Sequence, residues 1–413
     1  MTPYRTMAQV VGVVVLCLGL AVVADAQAPR TQPAAAASAF VHPNTNPAAR
    51  RAFDHFYNTE YDKAIQLFEG LAKQHPNDPF ANNYLLCAVL FRELYRVGAL
   101  DAETYADDDF LDRKAKRPLD PATQQRIKDL IARTEALTGE RLKVNDRDVE
   151  ALYARGVARA MRSTFMGMGE KAWLAAVRSA MAARRDHERV LELNPNYVDA
   201  KMSVGVHNYI IGSLNWAART MVALVGVRGN RKKGLDYLRE VARANSLASM
   251  DAKIALALFL RREEKYEEAL ELVRNMTREY PRSFLTALEY ANLLNAAGHG
   301  REAIKQYEHI LANYKARKYP VAEPEVAAWG LGVSLRGQRE FLLAAQAFDS
   351  VSSFPNADAD LVRRATLAAG EMYDTLKRRD VAVKRYEQVI TQNSGDGNAE
   401  LARRHMRQPY QYR

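Results

Sequence analysis

The sequence predicts an all-α fold, a solenoid of antiparallel helix pairs. Three observations predict it. "YDKAIQLFEGLAKQHP", ending at Pro76, and "KYEEALELVRNMTREYP", ending at Pro281, share one spacing. An aromatic leads, Ala follows three residues on, a bulky residue four later, an apolar one three later, and then Pro. "HGREAIKQYEHILANY" repeats that helix, and Ala269 to Ala303 measures a period of 34 residues. Finally, each such helix is preceded by another with a small residue twelve positions before the key Ala: Ala257, Ala291, Gly332 and Gly370 precede Ala269, Ala303, Ala344 and Ala382. Small residues let two helices approach, the bulky residue fills the gap between them, and Pro stops the second helix. A fixed period outranks any local signal, because each repeat can bury its apolar face only against its neighbours.

In chain order, Arg5, the apolar run from Val10 to Val23 and Ala24-Asp25-Ala26 have the layout of a cleaved signal peptide over residues 1–26. The run is shorter than the ~20 residues a membrane span needs. Cys17 sits inside it behind Leu16, where a lipoprotein signal requires a small residue. Residues 27–47, "QAPRTQPAAAASAFVHPNTNP", are expected to be a disordered linker. The solenoid is assigned to 48–400, with insertions near 98–120 and 213–230. The first contains the acidic "YADDDFLDRKAKRPLDP" and precedes a helix, "PATQQRIKDLIARTEAL", with Pro121 in its first turn. A further interruption, "TFMGMGEKAW", precedes the long helix "AWLAAVRSAMAARRDHERVLELNP". Residues 401–413 form the tail, where "ELARRHMRQPYQYR" is expected to cap the open end.

The repeat resembles the tetratricopeptide repeat (TPR) over most of residues 48–392, although the Trp and Leu of the consensus first helix are mostly missing. That resemblance implies a helical scaffold whose first helices line a concave face.

One stretch resists the frame. In "YVDAKMSVGVHNYIIG" and "KKGLDYLREVAR", the small residues Gly205 and Gly234 are 29 apart instead of twelve, so about 17 residues are inserted inside one repeat. "LNWAARTMVALVG" is expected to add a helix and "VRGNRKKG" to turn back. Gly226, Gly229 and Gly234 lack phosphate-loop spacing and a following Ser or Thr, and Arg219 interrupts the apolar run. Tyr209, Gly212, Leu214, Trp216, Gly226, Gly229, Asn230, Arg231, Gly234 and Leu235 also carry a pattern similar to one in bacterial secreted TPR proteins. A looser likeness is to the tetratricopeptide-repeat-protein-39 family, with Asn230 where Asp is usual. The resemblance implies a scaffold and no reaction.

The chain has 413 residues and a net charge of +10, which cleavage after Ala26 leaves unchanged because it removes Arg5 and Asp25 together. The charge comes as scattered pairs such as Arg184-Arg185 and Arg403-Arg404 among acids, the pattern of solvated helix faces and not of a nucleic-acid surface. After cleavage Cys87, in "YLLCAVLF", is the one remaining cysteine and is expected to be a buried core thiol. His187-Glu188 lacks the second His of H-E-x-x-H, and Asp107-Asp108-Asp109 lacks EF-hand spacing. No G-x-S-x-G occurs, and no catalytic residue, metal ligand or cofactor motif is nominated.

Binding remains. In the repeat frame the inward first-helix positions include Tyr153, Met202, Tyr209, Leu258, Arg261, Asn292, Trp329 and Arg336, an apolar, aromatic groove with an Arg rim. The same residues are equally compatible with a tight superhelix that fills itself. A Lys/Asn carboxylate clamp is not reproduced, since Leu288 stands where its Lys would be. The expectation is a non-enzymatic scaffold, periplasmic or secreted, holding a protein or peptide partner. The alternatives are a binder of acidic envelope polymer or lipid headgroups through the basic face, and an unrecognised hydrolase.

Overall fold

The computed structural model describes residues 40–41, 45–100, 117–214, 216, 219–220, 223, 228–244, 246, 248–393 and 395–412. The proposed signal peptide and the Asp107–Asp109 loop lie outside them. Among the described residues the regular structure is helical throughout, with consecutive helices packed on one another within each of two units. The fold is a TPR-like α-solenoid. It divides into two compact units, one up to Lys265 and one from Tyr266.

The first unit holds α1 (Pro47–Tyr57), α2 (Tyr61–Gln74), α3 (Pro79–Arg96), α4 (Pro121–Val144), α5 (Val149–Thr164), α6 (Trp173–Leu193), α7 (Ala200–Ser213), α8 (Arg231–Arg243) and α9 (Ala248–Arg262). The "FMGMG" interruption is a π-turn, Phe165–Gly169, that lets the chain swing from α5 into α6. The second unit holds α10 (Tyr266–Glu279), α11 (Phe284–Ala296), α12 (Gly300–Lys315), α13 (Pro324–Gly337), α14 (Phe341–Ser350), α15 (Ala359–Thr375), α16 (Arg379–Gln392) and α17 (Gly397–Arg407). Odd-numbered helices up to α15 are the first helices of repeats and even-numbered ones the second; α17 is the cap.

Local chemistry sets these boundaries. Asn46, Asp78, Asp120, Asp148, Asn230, Ser283, Asp358 and Asp396 each accept a backbone N–H of the helix they start. Pro47, Pro79, Pro121 and Pro324 open their helices, where a missing N–H costs nothing. Six first helices end on a left-handed residue: Thr59, Gly98, Glu264, Gly298, Arg339 and Lys377 have φ of 61°, 76°, 57°, 83°, 61° and 59°. The residue after each donates its N–H five positions back, to His55, Leu94, Leu260, Leu294, Leu335 and Tyr373, closing one turn geometry again and again.

The small-residue frame works as a lock. Ala269, Ala303, Ala344 and Ala382 are fully buried. The bulky residue four positions later meets the small residue of the first helix: a Cβ on Gly332 would come within 2.5 Å of the Phe348 ring, and one on Gly370 within 2.6 Å of the Tyr386 ring. The interior of the first unit is aromatic. Tyr84, Tyr153, Tyr209 and Phe259, from four successive first helices, are fully buried, and the Tyr57 hydroxyl of α1 donates to Asp251 of α9 at 2.9 Å.

Candidate partner-binding site

The inserted repeat is built around backbone contact between α7 and α8. A Cβ on Gly212 would lie 2.3 Å from the Arg231 nitrogen, and one on Gly234 2.4 Å from that of Tyr209. A Cβ on Gly229 would lie 2.5 Å from the Ile211 Cβ. The glycines therefore serve a helix crossing and cradle no phosphate. Asn208 accepts the Asn230 N–H at 3.3 Å, and the Asn230 side chain caps α8 by accepting the Lys233 N–H at 3.0 Å. An amide oxygen caps as a carboxylate would, which accounts for Asn where the resembling pattern has Asp. Tyr209 and Arg231 both reach Glu263 just beyond α9, at 2.9 and 3.2 Å. From this closed base the insertion departs: Trp216, Arg219, Thr220 and Ala223 are helical and exposed, Trp216 at 78%. The rest of that predicted helix lies outside the described residues.

Four of the eight groove candidates are interior. Tyr153 packs against Tyr197 and His187 at 4.9 and 5.1 Å, Met202 is buried, and Tyr209 stacks on Phe259 at 3.8 Å. Burial first, then Glu263, pushes the Tyr209 hydroxyl pKa far up. Asn292 is buried and accepts the Tyr307 hydroxyl at 2.6 Å, so its amide oxygen serves the repeat core. An open groove at these positions is corrected to a self-filled interior. In the first unit a hydrogen bond from Tyr57 joins α1 to Asp251 of α9, and the first-helix aromatics Tyr84, Tyr153, Tyr209 and Phe259 are buried.

The other four are only partly exposed. Leu258 and Arg261 share α9 in the first unit. Trp329 and Arg336 share α13 in the second, and Val333 between them is also partly exposed. Positions 329, 333 and 336 fall on one helix face. The Trp329 ring rests on Phe348 at 5.2 Å and under the Arg364 guanidinium at 4.8 Å. Arg336 lies 5.9 Å from the Phe348 ring, and its charge opposes the burial that raises the Glu371 carboxyl to about 7.

Two features escaped the sequence reading. His187, weighed only as a metal ligand, occupies the bulky position four after Ala183, against Gly156, where a Cβ would touch its ring at 2.4 Å. Burial drives its pKa down to about 4, so it is a neutral core residue. The count from Ala183 was the available signal. Residues 408–412 were expected to be capping helix and instead lie beyond the end of α17 in no helix. Cys87 is buried in α3, and burial pushes its thiol pKa well up. Among the described residues no group of three or more His, Cys, Asp or Glu is placed to hold a metal ion, and no helix is long and apolar enough to cross a membrane.

The family described as Iml2/Tetratricopeptide repeat protein 39 matches residues 198–356, the span from α7 to α14 that contains the inserted repeat. No curated protein matches the chain. Among solved structures it is similar to PilF of Pseudomonas aeruginosa, at 16% identity over 63% of this chain and 100% of that one, with a TM-score of 0.39. A tetratricopeptide repeat protein of Parabacteroides merdae gives 14% over 77% and 97%, TM-score 0.31. Yeast Tom70 gives 12% over 87% and 89%, TM-score 0.34. The chain has a TPR-like fold and is similar over residues 198–356 to the Iml2/Tetratricopeptide repeat protein 39 family.

Proposed function

We propose that this protein is a non-enzymatic scaffold, exported to the periplasm or secreted, that holds a protein or peptide partner against the partly exposed first-helix faces. The observation that carries this is the Trp329–Val333–Arg336 stripe on α13. Trp and Arg dominate interface energies, and here they share one face of a repeat helix and are each partly exposed. Leu258 and Arg261 offer a second, smaller face on α9. Export rests on the Val10–Val23 run and the Ala24-Asp25-Ala26 signal.

A second function, binding of acidic envelope polymer or anionic lipid headgroups, is favoured by one observation. The start of α8 presents Lys232 at 87% and Arg231 at 55% side-chain exposure, and Trp216 of the insertion is also exposed. Salt separates the two. Tagged protein would be incubated with envelope extract at about 50 mM and about 500 mM salt, and the retained proteins and polymers identified. Groove binding predicts the same protein partner at both concentrations, since contacts between exposed charges are largely screened beyond about a Debye length while apolar contacts persist. Loss of all retained material at high salt would overturn the peptide-scaffold proposal and support the polymer one.

A further inference from the structure

The end of α17 is fixed without help from the residues beyond it. Arg379, at the start of α16, donates to the carbonyls of His405 and Met406 at 2.8 and 2.6 Å, and Ala399 and Ala402 are fully buried. Gln408 then leaves the helix with φ −134° and ψ 114°, and Pro409 forbids its continuation. From there the chain is non-helical, with Tyr410 and Tyr412 half-buried and Gln411 between them exposed. This is the alternation of a docked peptide strand.

The face beneath it is composite. The Tyr410 N–H donates to Asp374 at 2.9 Å near the end of α15. Its ring meets His405 edge-on at 5.3 Å, and the charges of Glu371 and Arg336 act on its hydroxyl. The Tyr412 ring meets Phe341 edge-on at 5.0 Å where α14 begins. Asp374 does not depend on this contact. It already receives two bonds from Arg379, both 2.9 Å, and one from the Tyr386 hydroxyl at 2.8 Å. The buried ion pair stays satisfied if the segment leaves.

We propose that the face formed by Arg336, Phe341, Glu371, Asp374 and His405 is a seat for an extended peptide with an aromatic–x–aromatic pattern. Residues 408–412 occupy that seat in cis and compete with the partner for it. A backbone N–H to Asp374 and two inward aromatic rings define the recognised chemistry, with the intervening side chain left in water. The proposal rests on the partner-binding function proposed above, because Arg336 belongs to both faces.

The test uses a fluorescein-labelled peptide copy of residues 407–413 and two proteins, the full chain and a chain stopped after Arg407. Fluorescence anisotropy should show saturable binding to the shortened chain, at least about ten-fold tighter than to the full chain, a difference of about 1.4 kcal/mol. The same peptide carrying Tyr410→Ala and Tyr412→Ala should lose about ten-fold. A shortened chain that is folded and binds no peptide overturns the proposal, as does equal binding by the two proteins. If the shortened chain melts early, the full chain carrying Tyr410→Ala and Tyr412→Ala decides. Tighter peptide binding than wild type, with unchanged melting, upholds the proposal, and any other result overturns it. Partner capture by Trp329→Ala/Arg336→Ala protein is read alongside. Lost capture with no peptide binding removes only this seat, whereas peptide binding with unaffected capture leaves the seat and removes the wider groove.

Discussion

Replacing Gly234 by Ala is the sharpest probe of the inserted repeat. The substitution sets two effects against each other. Ala is favoured over Gly in a helix interior by about 1 kcal/mol. Against it, the new Cβ would lie 2.4 Å from the Tyr209 nitrogen, 2.6 Å from the Gly205 oxygen and 2.8 Å from the Tyr209 Cα. All three atoms are backbone, so no rotamer change relieves them. Restoring ordinary contact requires α7 and α8 to separate by roughly 1 Å, which forfeits a quarter to a half of each lining contact's attraction. Leu235, Leu238 and Val241 line that gap and are buried. Overpacking of this kind costs about 1–3 kcal/mol and occasionally more. With clashes on three backbone atoms the upper end applies, and the net loss should be about 2 kcal/mol or more. Gly139 is the matched control: it lies inside α4 with nothing within 4 Å of its Cβ position, so Gly139→Ala should gain up to about 1 kcal/mol. Urea denaturation followed by circular dichroism reads both, and hydrogen exchange should place the Gly234→Ala loss in α7 and α8. A Gly234→Ala chain as stable as wild type would refute the backbone-contact account.

Three further outcomes are expected. Asn230→Ala should cost about 1 kcal/mol by removing the α8 cap, whereas Asn230→Asp should be neutral or slightly stabilising beside the positive helix end, measured in the same denaturation series. Asp251 is raised to about 8 by burial first and by the Asp199 charge, against the Tyr57 hydrogen bond. Its folded pKa exceeds the unfolded value of about 3.9, so its favourable contribution is complete below pH ~4 and lost as pH rises toward 8. Asp251→Asn should therefore gain stability relative to wild type between pH 5 and pH 8.5; parallel curves for the two proteins would contradict this. Intact mass of protein recovered from the periplasm should match a chain beginning at Gln27, and retention of Val10–Val23 would argue against export by cleavage.

Much of the fold is legible because it repeats. The small residue, the key Ala and the bulky residue recur at fixed separations, and Gly332 against Phe348 and Gly370 against Tyr386 realise that spacing in space. The frame also exposed the insertion between Gly205 and Gly234. The contact between α1 and α9 was not legible. Tyr57 and Asp251 are 194 residues apart, and no local pattern announces that α1 will meet α9. Without that knowledge, inward positions such as Tyr153 and Tyr209 look the same whether the channel is open or filled. The C-terminal segment was hidden for another reason. Periodicity carries through Arg407, and the path past Pro409 is set by seats on α14 and α15 that lie far away in sequence.

The central claim is that a partly exposed stripe on α13 holds a partner, and one double variant tests it. Trp329→Ala with Arg336→Ala would be measured for partner capture and for melting on the same preparation. A fully buried Trp truncated to Ala costs about 3–5 kcal/mol. Trp329 is only half-buried, resting on Phe348 beneath Arg364, so its loss should cost less, about 1–2 kcal/mol. The account predicts that capture disappears while the melting temperature falls by only a few degrees. Undiminished capture, or early melting of the double variant, would contradict it.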